Sequence, residues 1–161
     1  SPSGFFNDPD APQTSSPHEM QRYLSKISGP LLDRIDIHIE VTPVPFEKLS
    51  EERKAESSVD IRQRVTKARE VQSARFESFD AVNYNAQMST KQIREYCKLD
   101  ETSLQLLKTA MERLNLSARA YDRILKVSRT IADLEASTSI NSTHIAEAIQ
   151  YRSLDRDGWL G

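Results

Sequence analysis

Arginine side chains are the residues of this sequence whose type and position could do chemistry. Arg119 falls in the first turn of a predicted helix, just after Ser117, where a cation opposes the helix dipole. The free backbone amides of such a helix start, together with a guanidinium, can form a site for an anion. Arg119, Arg123 and Lys126 share one stripe of that helix, and the plainer interpretation is a solvated basic face.

A second arginine, Arg34, stands between an apolar Leu-Leu pair and a stretch in which apolar and polar residues alternate. The plainer interpretation is a salt bridge at the rim of the fold, with Asp36 or Glu40 as the partner. Most charged side chains are solvated, and this favours the surface role over a site role.

Other kinds of chemistry have little support in the sequence. The three histidines, His18, His38 and His144, are far apart, and Cys97 is the single cysteine, so no zinc-type spacing and no internal disulfide is possible. We expect a surface or capping role for each histidine and predict no metal. With only four glycines, the chain has no phosphate-cradling loop or dinucleotide motif.

Composition limits the class of protein. The chain has 161 residues, 29% of them charged, and a formal net charge of -2, so no global basic field exists to hold nucleic acid. The lone cysteine fits a reducing compartment, and no apolar run approaches the ~20 residues that span a bilayer. A cytoplasmic location and no membrane contact are expected.

Capping signals and helical spacing of apolar residues predict a mainly α fold. The predicted helices cover residues 16–27, 58–76, 89–96, 100–114, 118–135 and 142–151. Those from residue 89 onward are predicted to form a compact four-helix unit.

One strand is predicted among these helices. Four β-branched residues alternate with polar residues in one stretch: Ile35, Ile37, Ile39 and Val41. A lone strand is not stable, so we expect it to pair with strands that this chain lacks, and the chain to be a piece of a longer protein.

Two segments resemble those of a known family. The run from Ile27 to Asp36 (Ile-Ser-Gly-Pro-Leu-Leu-Asp-Arg-Ile-Asp) is similar to the arginine-finger segment of the magnesium-chelatase-like AAA+ ATPases of the competence-associated ComM/YifB type. The run from Leu116 to Tyr121 (Leu-Ser-Ala-Arg-Ala-Tyr), continuing to Leu134, is similar to their sensor 2 helix. The resemblance extends over nearly the whole chain.

This resemblance implies roles for both arginines. Arg34 would be the arginine finger, acting on ATP bound by a neighbouring subunit, and such fingers are worth ~10³–10⁵ in rate. Arg119 would be the sensor 2 arginine, which contacts the ATP phosphates and couples nucleotide state to lid position. The family's phosphate loop and magnesium-binding motif would precede Ser1. ATP and Mg²⁺ are therefore expected in the full-length protein, whereas this chain alone is expected to bind neither and to be inactive.

The resemblance also implies a fold and a domain organisation. The fold would be the C-terminal helical lid domain of an AAA+ ATPase plus the last strand and flanking helix of its α/β core. The implied parts are a core remnant with the finger segment at 1–45, a linker and insert helix at 46–88, the lid at 89–153 and a loose tail at 154–161. Related proteins often carry four cysteines in the opening loop, but a zinc-stapled loop is not expected here because those positions are Ser1, Ser3, Gln13 and Ser15.

The function implied is that of a hexameric ring motor acting on DNA in recombination or transformation, through branch migration, with DNA contacts from upstream pore loops. An ATP-driven metal-chelatase subunit is one alternative. A non-enzymatic helical interaction module is another.

Overall fold

The computed structural model describes residues 29–39, 41 and 55–152, together with residues 18, 22 and 26. The helices with described bounds are α1 Gly29–Leu32, α2 Ser58–Arg75, α3 Thr90–Tyr96, α4 Glu101–Arg113, α5 Ala118–Leu134 and α6 Ser142–Gln150; a 3-10 turn covers Asn85–Gln87. The predicted mainly α fold is confirmed. The helix predicted at 16–27 lies outside the described residues, except that His18 and Arg22 are helical.

The helices begin where the sequence offers capping side chains. Each cap accepts a backbone N–H in the first turn, which satisfies a donor that the helix itself leaves free. The caps are Ser57 for α2, Ser89 for α3, Asp100 for α4, Ser117 for α5 and Asn141 for α6. Ser89 and Gln92 form the predicted capping box.

Helix α5 is the centre of the fold. It packs against α2, α3, α6 and the 3-10 turn, and α4 packs against α6. Its apolar stripe is buried through Ile124, Leu125 and Ile131, and Leu107 of α4 and Ile145 of α6 complete the centre of the core. The amphipathic pattern predicted for α5 is therefore the pattern that packs.

Helix α2 contacts this body with only its C-terminal half. Ala68 and Gln72 are buried, whereas residues 58–67 are exposed. A hydrogen bond from the Asn85 backbone N–H to the Gln72 side chain, at 3.1 Å, joins α2 to the 3-10 turn.

The strand predicted at residues 35–41 does not form in the described part of the chain. Residues 35–39 have an irregular backbone, and the His38 N–H donates to the carbonyl of Tyr151 at 2.7 Å. Burial is the reverse of the prediction: His38 is 5% exposed and Ile39 is 71% exposed. Alternating apolar and polar residues mark the two faces of a strand only when that strand pairs with a neighbour. The described residues supply no neighbouring strand, and the segment instead bonds to Tyr151 at the end of α6.

No helix within the described ranges combines the length and the apolar character needed to cross a bilayer.

Candidate functional site

Arg34 lies on a tight turn at the end of α1. Its backbone N–H donates to the carbonyl of Leu31 at 3.0 Å, and the N–H of Ile35 donates to the carbonyl of Leu32 at 3.0 Å. Leu32 is 5% exposed and fixes the turn to the body, whereas Arg34 is exposed. The turn thus holds its backbone in place while its arginine faces solvent.

The buried guanidinium of Arg152, just beyond α6, binds the backbone of the same turn. It donates through Nη1 to the carbonyl of Ile35 and through Nη2 to the carbonyl of Leu32 at 3.5 Å. The Nε2 atom of His38 lies 3.2 Å from the carbonyl oxygen of Leu32. Donors that carry a charge make stronger hydrogen bonds than neutral ones, so Arg152 is a firm attachment for the turn.

Two side-chain pairs join the turn to α5. The Ser117 hydroxyl donates to the carboxylate of Asp33 at 2.6 Å and also accepts the N–H of Ala120 at 3.1 Å. Further along α5, Arg123 forms an ion pair with Asp36. The residue that caps α5 is therefore bonded to the residue that precedes Arg34.

Arg119 is exposed in the first turn of α5, as the sequence predicted. The Asp33–Ser117 hydrogen bond brings its helix start beside the turn that carries Arg34. Within the described part of the chain, Arg34 and Arg119 make no ion pair. The rim salt bridge considered for Arg34 does not use Asp36, since that carboxylate pairs with Arg123.

The basic stripe of α5 is more than a solvated face. Arg123 pairs with Asp36, and Lys126 donates from Nζ to the carbonyl of Ala86 at 2.8 Å. Of the three basic residues, only Arg119 makes no hydrogen bond or ion pair within the described residues. Among the basic residues of this stripe, Arg119 is therefore the one whose guanidinium is available to bind an anion.

An apolar cavity of about 350 Å³ lies between residues 36–39 and helices α5 and α6. Its lining includes Ile37, Ile39, Val127, Ile131 and Leu134. Beside this cavity, the segment is attached to the body by the polar contacts described above and by the buried side chains of Leu32 and His38.

The histidines fall into different roles. His144 completes the capping box of α6: its Nδ1 accepts the backbone N–H of the cap residue Asn141 at 3.1 Å, which leaves the proton on Nε2, and Nε2 lies 2.9 Å from Glu135. His18 is exposed. The capping or surface role is therefore confirmed for these two and wrong for His38, which is buried against the turn.

The described residues offer no cluster of metal-ligating side chains, and the thiol of Cys97 is buried. Among the described residues, no group of three or more His, Cys, Asp and Glu side chains is placed to hold a metal ion. Burial raises the pKa of the Cys97 thiol to about 11, which disfavours the reactive thiolate. The substituted positions Ser1, Ser3, Gln13 and Ser15 lie outside the described residues.

Sequence reasoning missed the residues that hold the site together. Arg152, Asp36 and Asp33 act over long sequence separations, and each looks like an ordinary charged residue in the sequence. The only signal available was that all three lie inside segments similar to the family.

Comparison with known proteins decides the family. Residues 55–152 match the family described as "Magnesium chelatase, subunit ChlI C-terminal", and residues 1–49 match "Magnesium chelatase, subunit ChlI". The chain belongs to the magnesium chelatase subunit ChlI family. Arg34 lies in the first matched range and Arg119 in the second.

Individual relatives agree with this family. The chain is 41% identical over 157 residues to "Competence protein ComM" of Haemophilus influenzae, covering 97% of this chain and 30% of that protein. It is 40% identical over 142 residues to "Uncharacterized protein YifB" of Escherichia coli, covering 88% of this chain and 27% of that protein. It is 35% identical over 132 residues to a Mycobacterium bovis protein, "Uncharacterized protein Mb2921c", covering 82% of this chain and 26% of that protein. The chain thus spans less than a third of the length of these relatives.

Proposed function

We propose that this chain is the C-terminal part of a ring-forming AAA+ ATP hydrolase, in which Arg34 is the arginine finger and Arg119 is the sensor 2 arginine. The observation that carries the proposal is the Asp33–Ser117 hydrogen bond of 2.6 Å, which joins the turn of Arg34 to the helix start of Arg119. Both guanidiniums are exposed on this joined unit. A guanidinium is a permanent cation whose planar fork suits phosphate oxygens, and in this proposal Arg119 contacts ATP at one site while Arg34 contacts ATP at the neighbouring site.

The chemistry follows from the charge that develops during phosphoryl transfer. A finger guanidinium stabilises charge on the transferring group in the transition state, and its planar fork can contact two oxygens at once. Because Arg34 faces solvent, it is available to ATP held by a neighbouring subunit. In this proposal the phosphate loop and the Mg²⁺ ligands belong to the remainder of the longer protein.

We further propose that the motor is hexameric and acts on DNA during recombination or transformation, by branch migration. The support is the 41% identity to a protein named as a competence protein. With a net charge of -2, this chain is a poor source of phosphate contacts, so DNA binding is assigned to pore loops elsewhere in the ring.

A second candidate is an ATP-driven metal-chelatase subunit, which the description of the matching family favours. DNA distinguishes the two. A DNA-translocating motor increases its ATPase rate when DNA is added, whereas a chelatase subunit responds to its tetrapyrrole-binding partner instead.

The finger role is tested in the full-length protein with Arg34→Ala. We expect ATP binding to be retained and turnover to fall by ~10³ or more, because the finger stabilises the transition state more than the ground state. Mixing this variant with a phosphate-loop variant should restore part of the activity, since each completes the site that the other lacks. Arg113→Ala, which removes an exposed arginine at the end of α4, is the matched control and should keep full activity. Absence of recovery in rings shown to contain both subunits would overturn the in-trans assignment.

A further inference from the structure

Arg152 is a large, fully buried side chain, with 1% of its surface exposed. Burying a guanidinium is unfavourable unless its charge and its donors are compensated. Its contacts include the carbonyls of Leu32 and Ile35, which bracket Asp33 and Arg34. The buried guanidinium thus holds the backbone on both sides of the exposed Arg34.

The same turn has two further attachments, both to α5. Asp33 accepts the hydroxyl proton of Ser117 at 2.6 Å, and Asp36 pairs with Arg123. One link comes from beyond α6 and two from α5, and these two helices pack against each other. The turn therefore cannot shift relative to the start of α5 without breaking at least one charged or hydroxyl contact.

We infer that Arg152 is a positioning residue for the arginine finger, assisted by the Asp36–Arg123 and Asp33–Ser117 pairs, and that these contacts make the finger and the lid move as one unit. The inference rests on the proposed role of Arg34 and adds how that role is regulated. A displacement of α5 on nucleotide binding at Arg119 then moves Arg34 with it. The nucleotide state sensed by one site is passed to the finger that serves the neighbouring site.

The first test uses Arg152→Gln and Arg152→Lys in the full-length protein. Glutamine reaches less far and loses the charge, so it should lower kcat for ATP hydrolysis by about 100-fold, the effect of misplacing a catalytic group by about 1 Å. The KM for ATP should change little, because the variant's own nucleotide site is intact. Lysine keeps the charge and should recover part of the rate.

Mixed rings separate positioning from simple damage to the fold. An Arg152→Gln subunit has an intact nucleotide site and a misplaced finger. A phosphate-loop variant beside it supplies a correctly placed finger, so mixing the two should restore activity as it does for Arg34→Ala. Arg152→Gln rings that assemble, bind ATP and hydrolyse it at the wild-type rate would overturn the inference, and so would a defect that mixing does not relieve.

A partly exposed pair provides the test if Arg152→Gln fails to fold. Asp36→Arg and Arg123→Asp should each lower kcat, and the double exchange should recover it, because the ion pair is restored with its charges reversed. A double exchange no better than the worse single variant overturns the inference.

Arg34→Ala, measured in parallel, distinguishes the positioning inference from the proposed function. Full activity of Arg34→Ala overturns the proposed function itself. An inactive Arg34→Ala beside wild-type-like Arg152 and Asp36 variants overturns only the positioning role.

Discussion

The carboxylate of Asp133 accepts two hydrogen bonds from the guanidinium of Arg75, at 2.5 and 2.8 Å, across 58 residues of chain. Arg129 donates to the same carboxylate at 3.1 Å and Asn85 donates at 2.8 Å. The Asp133 side chain has no exposed surface. This buried carboxylate accepts four hydrogen bonds and so joins α2, the 3-10 turn and α5 into one body.

Removing this carboxylate should strongly lower the free energy of unfolding. Asp133→Ala leaves two arginines without their shared counter-charge, and breaking a buried ion pair in this way typically costs about 3–5 kcal/mol. Urea unfolding of this chain measures the change in the free energy of unfolding. Asp122→Ala, on the same helix but without a hydrogen bond in the described part of the chain, should stay within about 0.5 kcal/mol of wild type. Equal losses in the two variants would show that the network contributes nothing specific.

Two residues of α5 separate function from folding. Ile131 is 8% exposed, so Ile131→Ala should cost about 2–5 kcal/mol through lost burial and the cavity left behind. Arg119 is exposed, so Arg119→Ala should cost no more than about 0.5 kcal/mol while weakening the response of the lid to nucleotide. Thermal melts of both variants check the first part. An Arg119→Ala variant that melts as early as Ile131→Ala is a structural variant, and its sensor role would then rest on resemblance alone.

The parts of the fold that the sequence predicted are those with local causes. The starts of α2 to α6 follow from a capping side chain, and α4, α5 and α6 also show a 3.6-residue apolar period; both signals act within one helix. The strand prediction at residues 35–41 is wrong for the described residues because pairing depends on a partner that the local pattern does not contain. Asp133 and Arg152 could not be assigned in advance, since a buried charge has no sequence pattern and is defined by donors and acceptors far along the chain.

The thiol of Cys97 should be inert in the folded protein. Burial raises its pKa from 9.0 to about 11, and only 4% of the residue is exposed. Because the thiolate is the nucleophile, alkylation by iodoacetamide at pH 8 should be much slower in the native chain than in urea. Mass spectrometry after timed quenching measures the rate, with Cys97→Ser as the control for labelling elsewhere. Equal rates in the native and unfolded chains would contradict this burial.

Acid should weaken the start of α4 through Asp100. The neighbouring hydroxyl of Ser103, and then its backbone N–H, lower the pKa of Asp100 below its ordinary 3.8 by favouring the charged carboxylate; of these two groups only the N–H, which donates at 2.7 Å, is in hydrogen-bond geometry. A carboxyl whose pKa is lower in the folded than in the unfolded state stabilises the fold above the unfolded pKa. That contribution is lost as the pH falls through the lower, folded pKa.

The substitution that isolates this effect is Asp100→Asn, because asparagine is also a good helix cap but has no carboxyl to titrate. The difference in melting temperature between wild type and Asp100→Asn should be constant near pH 6 and should shrink below about pH 4, where unfolded aspartate begins to bind protons. A carbon NMR titration of the Asp100 carboxyl in the native chain gives the folded pKa directly. A midpoint at or above the ordinary value, or a melting difference that persists unchanged into acid, would show that the Ser103 contacts do not favour the charged form.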